Sequence, residues 1–302
     1  MNKHADVVVT FNRRNLLNEN IRSLLEQSFD KHDIIIVDNA STDGTADMVN
    51  SYHDARIRYY NTGTNLGGAG GFAFGLRKAL ELGYSYAWIM DDDAIPHKDA
   101  LLSLVNKQEA LGDQFSFLAS LVYWTDGKLF DMNIPSFPNN PRLNLDLDGV
   151  RRRKLMPIES CSFVGCFVNL KYAAKAGLPI SEFFIYGDDL EYTTRLRRFA
   201  PAYLDLDSTI THKAPSNKGA DVVSAGEDRI DRFFYQARNG MYIARKNKKI
   251  VRRLHVTLGR IKNILFRAKN HKAKRVWVTC KGTFAGFFFN PEIEYVKQAE
   301  IK

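Results

Sequence analysis

Three consecutive aspartates, Asp91, Asp92 and Asp93, are the residues of this sequence whose spacing most directly suggests chemistry. Adjacent carboxylates repel one another unless positive charge lies among them, and oxygen ligands of this kind suit Mg²⁺ or Mn²⁺. The triplet follows residues 88–90 (WIM), which are typical of the end of a buried strand. We therefore predict a divalent-cation site at the end of that strand, in preference to a solvated turn.

A second group of carboxylates lies in residues 187–191 (GDDLE). Acidic side chains in the first turn of a helix interact favourably with its dipole, which accounts for at least one of them. Because Asp189 and Glu191 cannot face one direction in a helix, we expect one carboxylate to act as a base and another to contact an acceptor or support the structure. His212 could complete an aspartate-rich Mn²⁺ site, although a lone histidine is usually structural.

Candidate nucleotide-binding residues follow the other strand-like runs. Residues 10–14 (TFNRR) contain neither a Rossmann glycine fingerprint nor a Walker A motif, which argues against NAD and ATP sites of the usual kinds. Asp38 and Asn39 offer an acceptor and a donor that could read a base or a ribose, or could cap the next helix. Four of residues 67–71 are glycines, so a second backbone or a sugar phosphate can approach them closely.

These carboxylates and candidate nucleotide-binding residues can form one site only in a fold that brings the ends of several strands together. Helical segments alternate with continuous apolar runs, which are typical of strands buried on both faces of a parallel sheet. The first four predicted strands are residues 5–11, 33–37, 57–61 and 86–90. This order predicts a doubly wound α/β sheet with its site beyond the carboxyl ends of the strands. We expect a glycine-rich loop and then a helix in residues 62–82, and a long irregular excursion in residues 126–148.

Composition excludes several classes of protein. The chain has 302 residues, 45% apolar and 12% aromatic, which is incompatible with disordered, collagen-like or coiled-coil proteins. Its apolar runs are far shorter than the roughly 18 residues of a membrane-spanning helix, and its start does not resemble a secretory leader. The three cysteines form neither a disulfide framework nor a zinc pattern. We expect reduced thiols in a cytoplasmic protein.

The net charge of +9 conceals two regions of opposite sign. Residues 232–291 contain 16 of the 43 basic residues and no acidic one, so 27 basic residues remain against 34 acidic residues elsewhere. Apolar residues recur at helical spacing in residues 230–244 and 251–268, with arginine and lysine between them. This pattern predicts an amphipathic helix on an anionic membrane surface; the alternative is a helix packed on the rest of the protein with a solvated basic face. We divide the chain into residues 1–228 and 229–302 accordingly.

Nucleic-acid binding through the basic residues is a non-enzyme alternative and the least favoured one. The basic stretch lacks the interleaved aromatic residues of common RNA-binding folds, and the acidic remainder of the chain would repel phosphate.

The ordered set of motifs resembles family 2 glycosyltransferases of the GT-A fold, a nucleotide-diphospho-sugar transferase fold. The motifs are residues 7–13 (VVVTFNR), 37–44 (VDNASTDG), 91–93 (DDD) and 187–191 (GDDLE), and His212. Residues 65–72 (NLGGAGGF) look like the loop of the galactofuranosyltransferase branch, which uses UDP-galactofuranose. Residues 233–239 (FFYQARN) resemble a tyrosine-arginine-asparagine segment found in that branch and in rhamnosyltransferase relatives, so dTDP-rhamnose is the alternative donor.

The resemblance, read with the motifs, implies roles for individual residues. Asp189 would be the catalytic base. The donor would be bound by Thr10, Phe11, Asn12, Arg13, Asp38, Asn39, Asn65, Gly67, Gly68, Asp91 and Asp92. The metal, Mn²⁺ or Mg²⁺, would be held by Asp91, Asp93 and His212. The acceptor would be contacted by Phe163, Asp188 and Glu191.

The implied reaction is an inverting, metal-dependent transfer to a glycan acceptor, commonly lipid-linked, in cell-surface polysaccharide synthesis. The implied location is the inner face of the cell membrane, as a peripheral protein. Residues 162–165 (SFVG) stand where the mycobacterial polymerising galactofuranosyltransferases have a tryptophan pair, and the chain lacks their long extensions. We therefore expect the addition of a single sugar.

Overall fold

A mixed β-sheet forms the frame of the molecule. A computed structural model describes residues 3–138, 146–217 and 219–296. Within those ranges the sheet has nine strands in the order β3-β2-β1-β4-β8-β6-β9-β5, with β7 beside β9. The strands are β1 (His4–Thr10), β2 (His32–Asp38), β3 (Ile57–Asn61), β4 (Tyr86–Asp91), β5 (Ala94–Pro96), β6 (Phe117–Trp124), β7 (Leu155–Pro157), β8 (Cys166–Asn169) and β9 (Ala202–His212). Strands β1 to β4 are mutually parallel where they pair, whereas β8 is antiparallel to both of its neighbours.

Ten α-helices occur in the described ranges. They are α1 (Arg14–Leu25), α2 (Thr45–Asn50), α3 (Gly67–Glu81), α4 (Ala100–Leu111), α5 (Leu147–Arg153), α6 (Leu170–Ala176), α7 (Asp188–Leu196), α8 (Phe233–Lys246), α9 (Ile250–Arg267) and α10 (Lys272–Phe288). Measured by length and hydropathy, none of these helices could serve as a transmembrane span.

Apolar side chains cover both faces of the sheet. Successive residues of a strand point to opposite faces, so Val7 of β1 packs with Leu76 of α3, while Val8 packs with Leu17 of α1. All four side chains are fully buried. This arrangement explains why the strand sequences are continuously apolar, and it confirms the predicted doubly wound mixed sheet with helices at the C-terminal end.

The glycine run lies in the first turn of α3, where the sequence suggested a loop. The helix lies so close to β1 that a Cβ atom on Gly71 would come within 2.5 Å of Val9 Cγ1. A Cβ on Gly75, one turn further along, would come within 2.3 Å of Val7 Cγ1. Here the glycines serve close packing of a helix on a strand rather than loop flexibility.

Strand β9 continues past Asp205 and Asp207 to His212, beyond an irregularity in its pairing with β6. This length places His212 at the carboxyl end of the strand. The short strand β5 pairs antiparallel with its end and places Ala94 opposite His212. The chain therefore brings the residues after β4 next to His212.

The described part of the excursion, within residues 126–148, contains a short turn and a contact with another segment. Asp131–Asn133 forms a short 3₁₀ turn, and Ser136 makes an isolated bridge with Ser160. Residues 139–145 lie outside the described residues.

The C-terminal helices pack closely against one another. A Cβ atom on Gly282 of α10 would lie 2.5 Å from the Phe234 oxygen, and one on Gly286 would lie 2.5 Å from the Arg238 oxygen. Two glycines four residues apart thus let α10 lie directly on the backbone of α8. Val222 packs with Phe233 of α8, so the apolar contacts of these helices extend before residue 229, and the predicted domain boundary stays a prediction.

Candidate active site

The aspartate triplet lies where the carboxyl ends of β1, β4 and β9 converge. Val9 near the end of β1 is opposite Asp91 in the sheet. Asp92 and Asp93 occupy the turn between β4 and β5 and are each 3% exposed. Burying carboxylates requires charge or hydrogen-bond partners, and the neighbouring strand ends supply them.

Asp92 is held by β1 and the residues after it. Thr10 Oγ1 donates a 2.7 Å hydrogen bond to Asp92 Oδ2, and Arg13 Nη1 lies 3.4 Å from Asp92 Oδ1. Burial raises the pKa of Asp92 to about 7, although the Arg13 charge and the Thr10 hydroxyl act in the opposite direction. The prediction that Thr10, Arg13 and Asp92 belong to one site agrees with these contacts.

Asp93 contacts both Arg13 and His212. Its Oδ2 accepts a 2.5 Å hydrogen bond from Arg13 Nη1, and its Oδ1 lies 2.9 Å from His212 Nε2. Burial alone would raise the pKa of Asp93, but the contacts with His212 and Arg13 outweigh it and lower the pKa. Asp93 therefore carries its negative charge at neutral pH.

His212 is oriented by a residue that the sequence gave no reason to choose. Its Nδ1 lies 2.9 Å from the Asn133 side-chain oxygen, and the Asn133 amide nitrogen donates to Ser162 Oγ at 2.7 Å. The Phe130 ring packs against the imidazole at a centroid distance of 4.8 Å. A proton on Nδ1 would leave Nε2 free to bind a metal cation, as in histidines that bind metals.

Asp188 and Asp189 open α7 after Gly187, whose φ is +82°. Both side chains are partly exposed, and Asp189 Oδ1 accepts a 2.7 Å hydrogen bond from the backbone N–H of Leu190. Desolvation raises the pKa of both carboxyls, for Asp188 with a further contribution from the Asp189 charge. A carboxyl with a raised pKa is suited to accepting a proton near neutral pH.

The donor atoms near Asp93 fit a small divalent cation. Asp93 Oδ1 is buried without a hydrogen bond of acceptable geometry, and it lies 2.9 Å from His212 Nε2. Neighbouring ligands of an octahedral Mg²⁺ at about 2.1 Å are about 3 Å apart. Burial and the Asp93 charge also raise the pKa of Asp91 to about 6, which an added cation would relieve.

The third predicted ligand is less well placed. Within the described ranges, no group of three or more histidine, cysteine or acidic side chains has the geometry of a metal centre. Asp93 and His212 are therefore the pair that would hold a cation, and Asp91 lies within electrostatic range of both without completing a cluster. The metal assignment stays a prediction.

Asp38, Asn39 and Asn12 form the wall of the site and hold its backbone. Asp38 is fully buried and accepts hydrogen bonds from the Ser41 N–H at 2.8 Å and the Tyr59 hydroxyl at 2.5 Å. Asn39, 2% exposed, donates to the Gly67 oxygen at 3.0 Å. Asn12 accepts a 2.8 Å hydrogen bond from the Thr42 N–H. These contacts are structural, and nucleotide contacts by these residues stay predictions.

Phe11, Asn65 and Gly68 remain open to a ligand. Phe11 is 41% exposed, Asn65 is exposed, and a Cβ atom on Gly68 would meet nothing within 4 Å. Gly67 is different, because its φ is +70° and a Cβ atom there would lie 2.2 Å from the Phe184 oxygen. Of the two predicted glycines, Gly68 has free space around its backbone. Gly67 instead allows the backbone of Phe184 to approach closely.

Phe163 and Glu191, which the sequence predicted to contact the acceptor, both make contacts within the protein, and their acceptor roles stay predictions. Phe163 is 4% exposed and packs against Phe72 at a centroid distance of 4.8 Å. Both Glu191 oxygens accept 2.8 Å hydrogen bonds from Arg195, whose guanidinium also donates to the carbonyl of Leu178 at 3.0 Å. Neither side chain offers a free surface to an acceptor.

Comparisons with known proteins agree with this fold. Residues 7–173 match the model of the family described as "Glycosyl transferase family 2", which covers more than half of the chain. The chain therefore belongs to glycosyl transferase family 2.

Individual relatives and solved structures are similar to this chain. It is 26% identical to galactofuranosyltransferase GlfT1 of Mycolicibacterium smegmatis over 253 residues, 79% of this chain and 82% of the relative. Its fold is similar to that of S. aureus TarS 1–349, with a TM-score of 0.56 and 17% identity over 95% of this chain and 72% of that one. It is also similar to the mannosyltransferase PcManGT of Pyrobaculum calidifontis in complex with GDP-Man and Mn²⁺, with a TM-score of 0.55 and 19% identity over 94% and 73%. The predicted GT-A fold is confirmed.

Proposed function

We propose that this glycosyltransferase moves galactofuranose from UDP-galactofuranose to a hydroxyl of a glycan acceptor, with inversion at the anomeric carbon. The observation that carries the proposal is the likeness to GlfT1, which extends over 79% of this chain and 82% of that relative. A single displacement converts the α-linked donor into a β-linked product. We further propose that the acceptor is lipid-linked and that the product belongs to a cell-surface polysaccharide.

Each site residue has a separate role in the proposed reaction. Asp189 takes the proton of the acceptor hydroxyl as its oxygen attacks the anomeric carbon and the bond to UDP breaks. Asp92, fixed by Thr10, contacts the donor sugar, and Arg13 lies beside the diphosphate. Asp93 and His212 would hold Mn²⁺ or Mg²⁺, as the PcManGT complex holds Mn²⁺. When bound, the cation stabilises the charge that develops on the departing UDP.

A location at an anionic membrane surface fits the side chains of the basic segment, residues 232–291. On α9 the apolar residues Val251, Leu258 and Phe266 are 69%, 64% and 78% exposed. On α10, Trp277 is 66% exposed. The alternative, an apolar face of α9 packed on the protein, accounts poorly for this exposure, since this helix buries only Thr257 and Ile264. Exposed aromatic and apolar residues among lysines and arginines are typical of interfacial helices.

A donor panel tests the proposed activity. UDP-galactofuranose, UDP-galactopyranose and dTDP-rhamnose would each be incubated with the protein, Mn²⁺ and a lipid-linked glycan acceptor, and nucleotide release would be measured with and without EDTA. We expect release from UDP-galactofuranose to be roughly tenfold or more faster than from either other donor. Preferential use of dTDP-rhamnose would replace this proposal with the rhamnosyltransferase alternative.

A further inference from the structure

The segment before the catalytic carboxylates, residues 182–187, has a backbone that its own sequence does not favour; we name it the base loop. Phe184, Tyr186 and Gly187 have φ values of +62°, +69° and +82°. Phe184 also has a ψ of −57°, and the Ile185 N–H donates to the Phe183 oxygen at 2.7 Å, which together form a γ-turn of the rare strained type. Such a conformation persists only where surrounding contacts impose it.

One side chain on α8 supplies most of these contacts. Asn239 is fully buried, and its Nδ2 lies 3.0, 3.1 and 2.9 Å from the carbonyl oxygens of Phe183, Ile185 and Tyr186. An amide group has two N–H donors, so three carbonyls of the base loop share them. No aliphatic side chain could satisfy this set of acceptors.

Arg238 fixes the direction of that amide. Its Nε donates to the Asn239 side-chain oxygen at 3.0 Å, which turns the Asn239 nitrogen toward the base loop. Its Nη2 donates to the Glu182 oxygen, and its guanidinium lies 3.9 Å from the centre of the Phe289 ring. The arginine thus holds both the start of the base loop and the orientation of its neighbour.

Aromatic stacking and the glycine run hold the other sides of the base loop. Phe184 stacks on Tyr235 at a centroid distance of 5.0 Å, and Tyr186 stacks on Phe233 at 5.7 Å. The Phe184 oxygen accepts a 3.2 Å hydrogen bond from the N–H of Ala69. The base loop therefore touches α8 on one side and the start of α3 on the other, and it leads directly into Asp188 and Asp189.

We propose that Asn239 and Arg238 are positioning residues that hold the base loop in its strained conformation and so place Asp188 and Asp189 at the donor. This inference rests on the proposed function only in taking Asp189 as the base. It assigns a role to the two residues that end the 233–239 motif, neither of which belongs to the carboxylate site itself.

Asn239→Asp tests this role, because it keeps the shape of the side chain but replaces the donating nitrogen with an oxygen facing three carbonyls. We expect kcat to fall about 100-fold, as for a catalytic group displaced by about 1 Å, with the Kd for UDP within about threefold of the wild type. Hydrogen exchange of the peptide covering residues 182–190 should be faster. Unchanged exchange in that peptide, or an unchanged kcat, would overturn the proposal.

Two further variants separate positioning from general stability. Arg238→Gln removes the restraint on the Asn239 amide and should lower kcat less than Asn239→Asp while also accelerating exchange of residues 182–190. Arg245→Gln is the matched control, because Arg245 lies on the same helix and donates to the Gly286 and Phe289 oxygens at 3.1 and 2.9 Å. An equal loss of kcat in Arg245→Gln would show a structural effect and overturn the positioning role.

Hydrogen exchange also keeps this test independent of the sugar donor. If the wild type releases no nucleotide from UDP-galactofuranose, the proposed function fails. Exchange of residues 182–190 in Asn239→Asp and Arg238→Gln, with Arg245→Gln as the control, then decides whether Asn239 and Arg238 hold the base loop.

Discussion

The carboxylate site and the basic segment differ in where their charged and apolar side chains lie. Around Asp91, Asp92 and Asp93, buried acidic groups meet specific partners at hydrogen-bond distance, and the apolar side chains of the sheet are covered on both faces. In the basic segment, no acidic residue accompanies 16 lysines and arginines, and large apolar side chains remain exposed on α9 and α10. In the first region the charged groups contact partners within the chain, whereas in the second the apolar side chains are left exposed.

Of the variants considered, Asp189→Asn should have the largest effect, and it should act only at the carboxylate site. We expect transfer to fall by roughly 10²- to 10⁴-fold, because the amide cannot accept the acceptor proton. UDP affinity and vesicle binding should stay unchanged. Initial rates of UDP release and calorimetric titration with UDP would measure both.

Asp113→Asn is the control for that variant, because it removes a carboxylate that is paired with Lys171 away from the site. It should retain wild-type turnover. Near-normal turnover by Asp189→Asn would exclude Asp189 as the base.

Asp93→Ala should abolish the metal dependence of donor binding. Removing Asp93 leaves His212 without its neighbouring ligand, so UDP should bind equally in Mn²⁺ and in EDTA, whereas wild-type binding should weaken by roughly tenfold in EDTA. Titration with UDP under both conditions measures the difference.

His97→Ala is a suitable comparison for the metal experiment, because His97 hydrogen-bonds Thr211 at 2.9 Å beside the same strand without facing Asp93. This variant should keep the wild-type response to EDTA. A metal response that survives in Asp93→Ala would remove Asp93 from the ligand set.

Leu258→Glu combined with Phe266→Glu should affect only the basic segment. Each buried apolar side chain contributes about 1.5–3 kcal/mol, so we expect at least a tenfold loss of binding to vesicles containing anionic lipid. Turnover of a short water-soluble acceptor should not change. Sedimentation with neutral and anionic vesicles, at low and high salt, measures this partition.

Leu147→Glu provides the matched control for the vesicle experiment, since Leu147 is 70% exposed but lies outside the basic segment. Its vesicle binding should equal that of the wild type. If the wild type bound neutral and anionic vesicles equally, the membrane proposal would be contradicted.

The smallest predicted effect is a shift in the pH dependence of turnover. Asp189 acts as a base only when deprotonated, and desolvation raises its pKa above the usual value of an aspartate. Activity should therefore decline on the acidic side at a higher pH than an exposed aspartate would require. The pH profile of kcat/KM measures this limb, and a limb near the ordinary aspartate pKa would contradict a desolvated base.

The sequence was sufficient for the first four strands with the helices between them and for the main acidic groups. Continuous apolar runs identified β1, β2 and β4, and the aspartate triplet identified the end of β4. Both signals are local, because they depend on residue types within a few positions. Fold class and candidate carboxylates could therefore be predicted together.

Contacts between distant segments could not be predicted in the same way. Asn133 orients His212 across 79 positions, and Asn239 reaches Tyr186 across 53. Neither asparagine stands in a local pattern that marks its partner. Position near a functional motif also does not reveal internal contacts, since Phe163 is buried and Glu191 is paired with Arg195.

The contact of Asn239 with the base loop bears on how this protein can be shortened. A division at residue 228 separates acidic from basic sequence, yet it would also separate Asp189 from the helix that shapes its backbone. A fragment ending there would retain the aspartate triplet, His212 and the residues predicted to bind the nucleotide, but the base loop would lose the side chain that contacts its three carbonyls. We expect such a fragment to bind UDP but not to transfer the sugar of a UDP-sugar donor, so the smallest catalytic unit extends at least through α8 and the α10 helix packed on it.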